Sequence, residues 1–452
     1  MAFNRQSGQK AVLARMGKFV ASGWFIQGDE VSNQSRRSLV CYNVLVNVAA
    51  NLIGGSFFTG LMIVLEADDA FAGLVTVLIY GANLLQLFTP VILERFTRRK
   101  PLLITIRVVI HLINIVFIGL IPFLPVKTSS RLLLFGFSVF LVNALSALSG
   151  PGFSVWHIAH VPPSMRVQYF SLVTMLNGIF VAVFNLLGSG VVDMFKRAGM
   201  ELWGLTTLRV LALILAAFDI RQLIRIKELP VQKPLHKLRL KAMLTEPWKH
   251  PIYLRSVLVV VLWSLVANLP CVFYTLYLLR EVQVSYSYIM LISSFNVVVL
   301  TLLTFVWRRI FLKHNWLRPL AVAILLLAPH YILLAFVSRG LMFLYPLAVI
   351  WSFVCASGIN LAFTSVAYIN IPKENQTLYV GFYATANFLA ALSAATLSRF
   401  FVTRLSGLRF SIMGVPFGEK QLLMLIVGFL MVGVGLVVYR IAMLNRSQGL
   451  EH

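Results

Sequence analysis

The sequence predicts an all-α integral membrane protein with twelve transmembrane helices in two pseudo-symmetric six-helix bundles. Three observations predict it. Of 452 residues, 59% are apolar and only 12% charged, whereas a water-soluble chain is nearer half apolar and a quarter charged. The apolar residues gather in runs close to the roughly 20 needed to cross a hydrocarbon core about 30 Å thick. Those runs form two sets of six with a basic segment between them. The runs do not alternate apolar and polar residues, so the strands of an outer-membrane barrel are excluded.

In chain order, residues 1–38 are too polar to span and read as a cytoplasmic N-terminal segment. Within it, Ala11 to Phe25 mixes apolar residues with Arg15 and Lys18, a pattern that also suits a helix lying on the inner leaflet. The N-terminal bundle, 39–222, has spans at about 39–63, 72–93, 101–122, 132–150, 170–192 and 203–220. Charge marks their limits: Glu66, Asp68 and Asp69 follow the first, Glu94 the second, and Asp193 and Asp219 stand near the ends of the fifth and sixth. A basic cytoplasmic linker, 223–253, carries Arg225, Lys227, Lys233, Lys237, Arg239, Lys241 and Lys249 among four prolines. The C-terminal bundle, 254–446, has spans at about 254–279, 286–306, 318–337, 341–366, 379–402 and 420–443. Residues 447–452 form a tail whose last three read as the remnant of a purification tag.

Lysine and arginine set the orientation. With both termini cytoplasmic, the inner segments hold 27 of the 39 basic residues and the outer loops 10, while Arg107 and Arg209 lie within spans. A multi-pass protein of the cell membrane with both termini in the cytoplasm is expected. The net charge of +24 is then a matter of topology and anionic lipid rather than of a nucleic-acid partner. Cys41, Cys271 and Cys355 fall in or at the edge of spans and read as small core residues, not a disulfide framework.

The two halves carry a weak repeat. At a shift of 210 residues, Arg98-Arg99 meets Arg308-Arg309, Val161-Pro162 meets Ile371-Pro372, Tyr169 meets Tyr379 and Asn177 meets Asn387. Matches at equivalent topological places indicate a parallel repeat about an axis along the membrane normal. Between the second and third spans the chain reads Pro90-Val91-Ile92-Leu93-Glu94-Arg95-Phe96-Thr97-Arg98-Arg99-Lys100. This resembles the signature loop of the major facilitator superfamily of secondary transporters, prokaryotic type, which runs Gly-x-x-x-Asp-Arg-x-Gly-Arg-Arg/Lys. Arg95, Arg98 and Arg99 match it; Glu94 replaces the Asp, and Pro90 and Thr97 replace the glycines. The resemblance implies that Glu94, Arg95, Arg98 and Arg99 form a cytoplasmic gate. It also implies that spans one, four, seven and ten line the solute path. The interior of the fourth span has no arginine, and the fifth lacks a Gly-Pro pair. The resemblance therefore brings no coupling mechanism with it.

Charge within a membrane is a functional candidate by default. The carboxylates fall in loops or near span ends, so a carboxylate relay and tight recognition of a lipophilic cation are not expected. Arg107 and His111 share a face of the third span. His111 stands near mid-depth, and histidine as a residue type changes charge near neutral pH, which makes it a substrate or coupling candidate; His330 occupies a similar depth in the ninth. Neutral polar and aromatic residues supply the remaining candidates for solute binding: Asn47, Asn51, Asn143, Asn177, Trp263, Asn268, Tyr274, Trp351 and Asn387. Amides donate and accept hydrogen bonds, and aromatic faces stack on rings. His157 and His160 have metal-ligand spacing but no further ligands nearby, so no metal, cofactor or catalytic group is expected. The expectation is a monomeric transporter, in contact with membrane lipid, that moves a small polar solute, neutral or weakly anionic, by alternating access. A multidrug exporter is the alternative within transport, and a lipid flippase or a non-transporting sensor the alternative outside it.

Overall fold

The computed structural model describes residues 30–89, 92, 96, 98–228, 245–313, 316–366 and 376–447. Among the described residues, eleven helices are long and apolar enough to cross a membrane. Six belong to the N-terminal half: α1 (Ser32–Val64), α2 (Asp69–Phe88), α3 (Arg99–Phe123), α4 (Thr128–Ala159), α5 (Gln168–Arg197) and α6 (Glu201–Arg225). The C-terminal half opens on a shorter apolar helix, α7 (Pro251–Ala267). Five long ones follow: α8 (Tyr286–Lys313), α9 (Leu317–Ala335), α10 (Leu344–Phe363), α11 (Tyr379–Arg404) and α12 (Glu419–Asn445).

The seventh span, expected as one run over 254–279, is broken after α7. A second piece, Phe273–Leu276, runs into a π turn at Tyr277–Val282. Pro270 in the break has no N–H for a helical ladder, and Cys271 sits at φ 46°, where a non-glycine residue is uncommon. The equivalent span of the first half is interrupted too. Gly54 is extended and Gly55 lies at φ 51°, a conformation glycine adopts without steric cost. Interrupted helices are a feature of transporter folds.

Within each half the helices pack as a bundle, and across the seam α2 packs on α11 and α5 on α8. The apolar core has an unequal distribution along the membrane normal. At the end holding the α1–α2 turn, residues of both halves, Phe57, Leu61, Phe273 and Tyr286 among them, join one continuous cluster, which within the C-terminal half runs on to Phe311 and Leu317. At the opposite end each half keeps its own. One cluster gathers Leu39, Tyr42, Leu103, Phe153, Tyr169 and Leu223; the other gathers Tyr253, Val257, Tyr379 and Phe382. Between α11 and α12 an antiparallel hairpin pairs β1 (Phe410–Ile412) with β2 (Val415–Phe417). Its two turn residues, Met413 and Gly414, both have positive φ, as a type I′ hairpin turn requires.

Candidate functional site

The halves are joined by polar contacts at the same end that shares a core. Asp69, which opens α2, bonds Arg280 at 3.1 Å and Lys420 at 2.7 Å, and the Lys420 ammonium also reaches Glu281 at 2.6 Å. The neighbouring Asp68 has a local task, accepting the Phe71 N–H to cap α2. Arg399 donates to the Ala70 carbonyl at 3.0 Å. Asp193, on α5, accepts the backbone N–H groups of Tyr286 and Ser287 at 2.9 and 2.7 Å. A carboxylate of one half thus caps the first turn of α8 in the other, where the helix dipole favours an anion. The Tyr286 hydroxyl then donates to Glu201 at 2.7 Å. The deepest of these bridges joins Tyr80 to Asn268 at 2.7 Å, roughly 16 Å along α2 from Asp69 at about 1.5 Å per residue.

Beside the seam, each half presents amides in the same arrangement. On α1, Asn47 donates to the Asn43 carbonyl at 2.7 Å and to its side-chain oxygen at 3.1 Å. At the end of α7, Asn268 donates to the Ser264 carbonyl at 2.7 Å and to its hydroxyl at 3.1 Å. The leading residue of each pair is tied to the fifth helix of its half. Asn177 of α5 donates to Asn43 Oδ1 at 2.7 Å, and Ser264 donates to the Asn387 carbonyl of α11 at 3.1 Å. Asn51 extends the α1 stripe by one turn and is exposed, with its amide donating to the Asn47 carbonyl. Gly178, next to Asn177, lies against Val297 of α8, which places this turn of α5 at the seam. Asn177 and Asn268 therefore lie at the junction of the halves, with Asn47 tied to Asn177 through Asn43 and Asn387 to Asn268 through Ser264. Sequence reading missed Asn43, Ser264 and Tyr80, although the four-residue spacing of 43, 47 and 51 was a visible signal.

The other candidates make contacts of their own. Asn143 donates to its own helix, at the Val139 carbonyl. The Trp263 ring lies on Phe363. Tyr274 is half-buried near Tyr345, its hydroxyl enclosed without a partner. The Trp351 indole N–H donates to the Leu326 carbonyl at 2.6 Å, and His330 bonds the Ala348 carbonyl, so both fasten α9 to α10. His157 pairs with the Tyr169 hydroxyl and His160 with the Trp156 and Lys227 carbonyls. Among the described residues no three His, Cys, Asp or Glu are grouped to hold a metal. Glu94 and Arg95 lie outside the described residues. Arg98 is exposed at the N-cap of α3, and Arg99 begins that helix. The adjoining Lys100 ammonium donates to the Ile224 and Ile226 carbonyls at the end of α6.

One expectation is corrected. Asp219, expected only as a carboxylate near a span end, is fully buried and meets His111 Nε2 at 2.7 Å. The helix α6 continues six residues past it to Arg225, so the carboxylate lies inside the bundle. Nearby Arg107 donates to the Tyr42 hydroxyl and covers the Phe153 ring at 4.4 Å. On the outer side of this pair, Arg209 donates to the Asn114 carbonyl at 2.6 Å, within the π turn Leu112–Phe117 that follows His111. Both arginines are held inside the N-terminal half, one by a phenol and a ring and the other by backbone carbonyls. A lateral basic cleft for a lipid headgroup would need them free.

Two helical bundles joined at one end, with amides near the junction and interrupted first spans, are the architecture of a membrane transporter. The model of the Major Facilitator Superfamily matches residues 40–395, and the chain belongs to that superfamily. Its fold is similar to that of the nucleoside transporter NupG in a mutant form, with a TM-score of 0.67 and 14% identity, covering 90% of this chain and 99% of that one. It is similar to the xylose transporter XylE from E. coli in an inward-open conformation, with a TM-score of 0.63 and 13% identity over 90% and 95% of the two chains. A bacterial homologue of the iron transporter ferroportin gives a TM-score of 0.67 at 12% identity, over 91% and 98%. No curated protein matches the chain.

Proposed function

We propose that the protein moves a small polar solute across the cell membrane by alternating access, as a monomer with both termini in the cytoplasm. The observation that supports this reading is the one-sided junction. Polar bridges and a shared core hold the halves together from Asp69 to Asn268, while the opposite ends keep separate cores. With the basic loops placed inside, the joined end is the outer one and this state opens to the cytoplasm. Rocking of one half against the other about the amide set would break the Asp69 bridges and bring the inner ends together. Glu94, Arg95, Arg98 and Arg99 would then act as the inner gate. A neutral or weakly anionic solute suits a junction whose described carboxylates are already paired.

The test is thermal unfolding of the detergent-purified protein against sugars, nucleosides, amino acids, small carboxylates, lipophilic cations and lysolipids. A ligand at a hundred times its dissociation constant adds about 2.7 kcal/mol of stability. Stabilisation by a polar solute is expected, followed by counterflow of that solute in reconstituted vesicles. Stabilisation by lipophilic cations alone would replace this reading with a multidrug exporter, and by lysolipids alone with a flippase.

A further inference from the structure

We infer that the transported solute is a neutral, hydroxyl-rich molecule that binds chiefly by donating hydrogen bonds. This rests on the transporter reading above and narrows its solute class. The direction of the amides is the first observation. Asn47, Asn51, Asn143 and Asn268 each donate through Nδ2 to the backbone carbonyl four residues earlier. A backbone carbonyl only accepts, so each bond fixes which end of the amide turns to the helix. The NH2 group faces the backbone, and Oδ1 faces away from it.

Asn177 follows the same rule by another route. Its NH2 donates to Asn43 Oδ1, and its own oxygen is buried with no partner. A buried acceptor left unpaired carries a desolvation cost, which a donor arriving from a solute would remove. The C-terminal half shows the kind of group that fits. There the Asn268 oxygen accepts a hydroxyl, that of Tyr80 from the other half, at 2.7 Å. Separating the halves at that end would withdraw the phenol and leave the acceptor for a solute hydroxyl.

Charge disfavours the other classes. An anion needs donors, but Arg107 and Arg209 turn into the N-terminal half, toward Tyr42 and the Asn114 carbonyl, and the Arg107 Nε left unpaired there is buried. A cation needs a carboxylate free at the junction, but Asp193 is held by the first turn of α8 and Glu201 by Tyr286, while Asp219, with one oxygen on His111, is buried within the N-terminal half. A neutral solute with several hydroxyls requires neither.

The experiment titrates the detergent-purified full-length protein with a hexitol, a six-carbon aldonate, an amino sugar and uridine, read by thermal shift and tryptophan fluorescence. Binding of the hexitol or of uridine is expected, and which of the two binds separates a polyol from a nucleoside. Asn51 is exposed and gives up only one bond to its own helix, so Asn51→Ala should leave the unfolding temperature unchanged while weakening the solute by about tenfold. Asn51→Asp keeps the acceptor and should retain binding of the neutral solute. Preference for the aldonate or the amino sugar, with counterflow of it in vesicles, would overturn this inference and leave the transporter reading standing. Binding of a neutral solute unchanged in Asn51→Ala would overturn it as well. No binding to any member, with no counterflow, would overturn both.

Discussion

Asp219 and His111 illustrate what a single pair does inside a bundle. The carboxylate is fully buried and the imidazole 12% exposed at 2.7 Å, and the second carboxylate oxygen has no partner. Removing one member of such a pair costs more than removing its charge alone, because the survivor stays buried. His111→Ala leaves an isolated carboxylate and is predicted to destabilise the protein by about 3–5 kcal/mol. Asp219→Asn leaves a neutral amide still able to bond the imidazole, and is predicted to cost about 1 kcal/mol. Denaturation midpoints of the two variants test this, and equal losses would contradict it. Arg107 and Tyr42, the other polar groups of this cluster, are unchanged in both variants.

At the scale of the element, α9 and α10 show how a polar aromatic residue in a span fastens two helices. Pro329 lies inside α9, where it removes one ladder hydrogen bond and crowds the preceding turn. One turn back, the Leu326 carbonyl takes the Trp351 indole N–H. Trp351→Phe keeps the ring and loses the donor. It is predicted to lower stability by about 1 kcal/mol with solute affinity unchanged, as measured by unfolding and by titration. Trp351 stood among the solute candidates because depth and residue type are all that a sequence offers to weigh. Helix number and rough position were legible in the apolar runs, since so many uncharged stretches of that length suit little besides a bilayer. What was not legible has two physical causes. Apolar runs stop at the first charge, whereas α5 and α6 continue to Arg197 and Arg225, which disguised Asp193 and Asp219 as loop-edge residues. Partners are also set by tertiary packing: nothing local to Asp193 announces that it caps α8, nor to Tyr80 that it meets Asn268. The break after α7 was signalled by Pro270 alone, and the left-handed Cys271 beside it has no compositional mark.

For the whole molecule, the central claim is that the joined end separates when the opposite end closes. Contacts at the seam are close enough to be tested by size. A Cβ on Gly60 would fall 1.9 Å from the Tyr286 hydroxyl, which is itself fixed by Glu201. Gly60→Val is therefore predicted to hold that end apart and to abolish transport while leaving each bundle folded, as checked by vesicle uptake and helical content. The most direct measurement is a pair of distances from double electron–electron resonance in a cysteine-free background. One pair of labels, at Lys127→Cys and Arg339→Cys, spans the joined end, and the other, at Arg225→Cys and Lys313→Cys, spans the opposite end. On solute addition in lipid, the predicted result is a population in which the first distance lengthens as the second shortens, and Gly60→Val should show the longer first distance without solute. Two distances that stay fixed, or that move in the same direction, would contradict it.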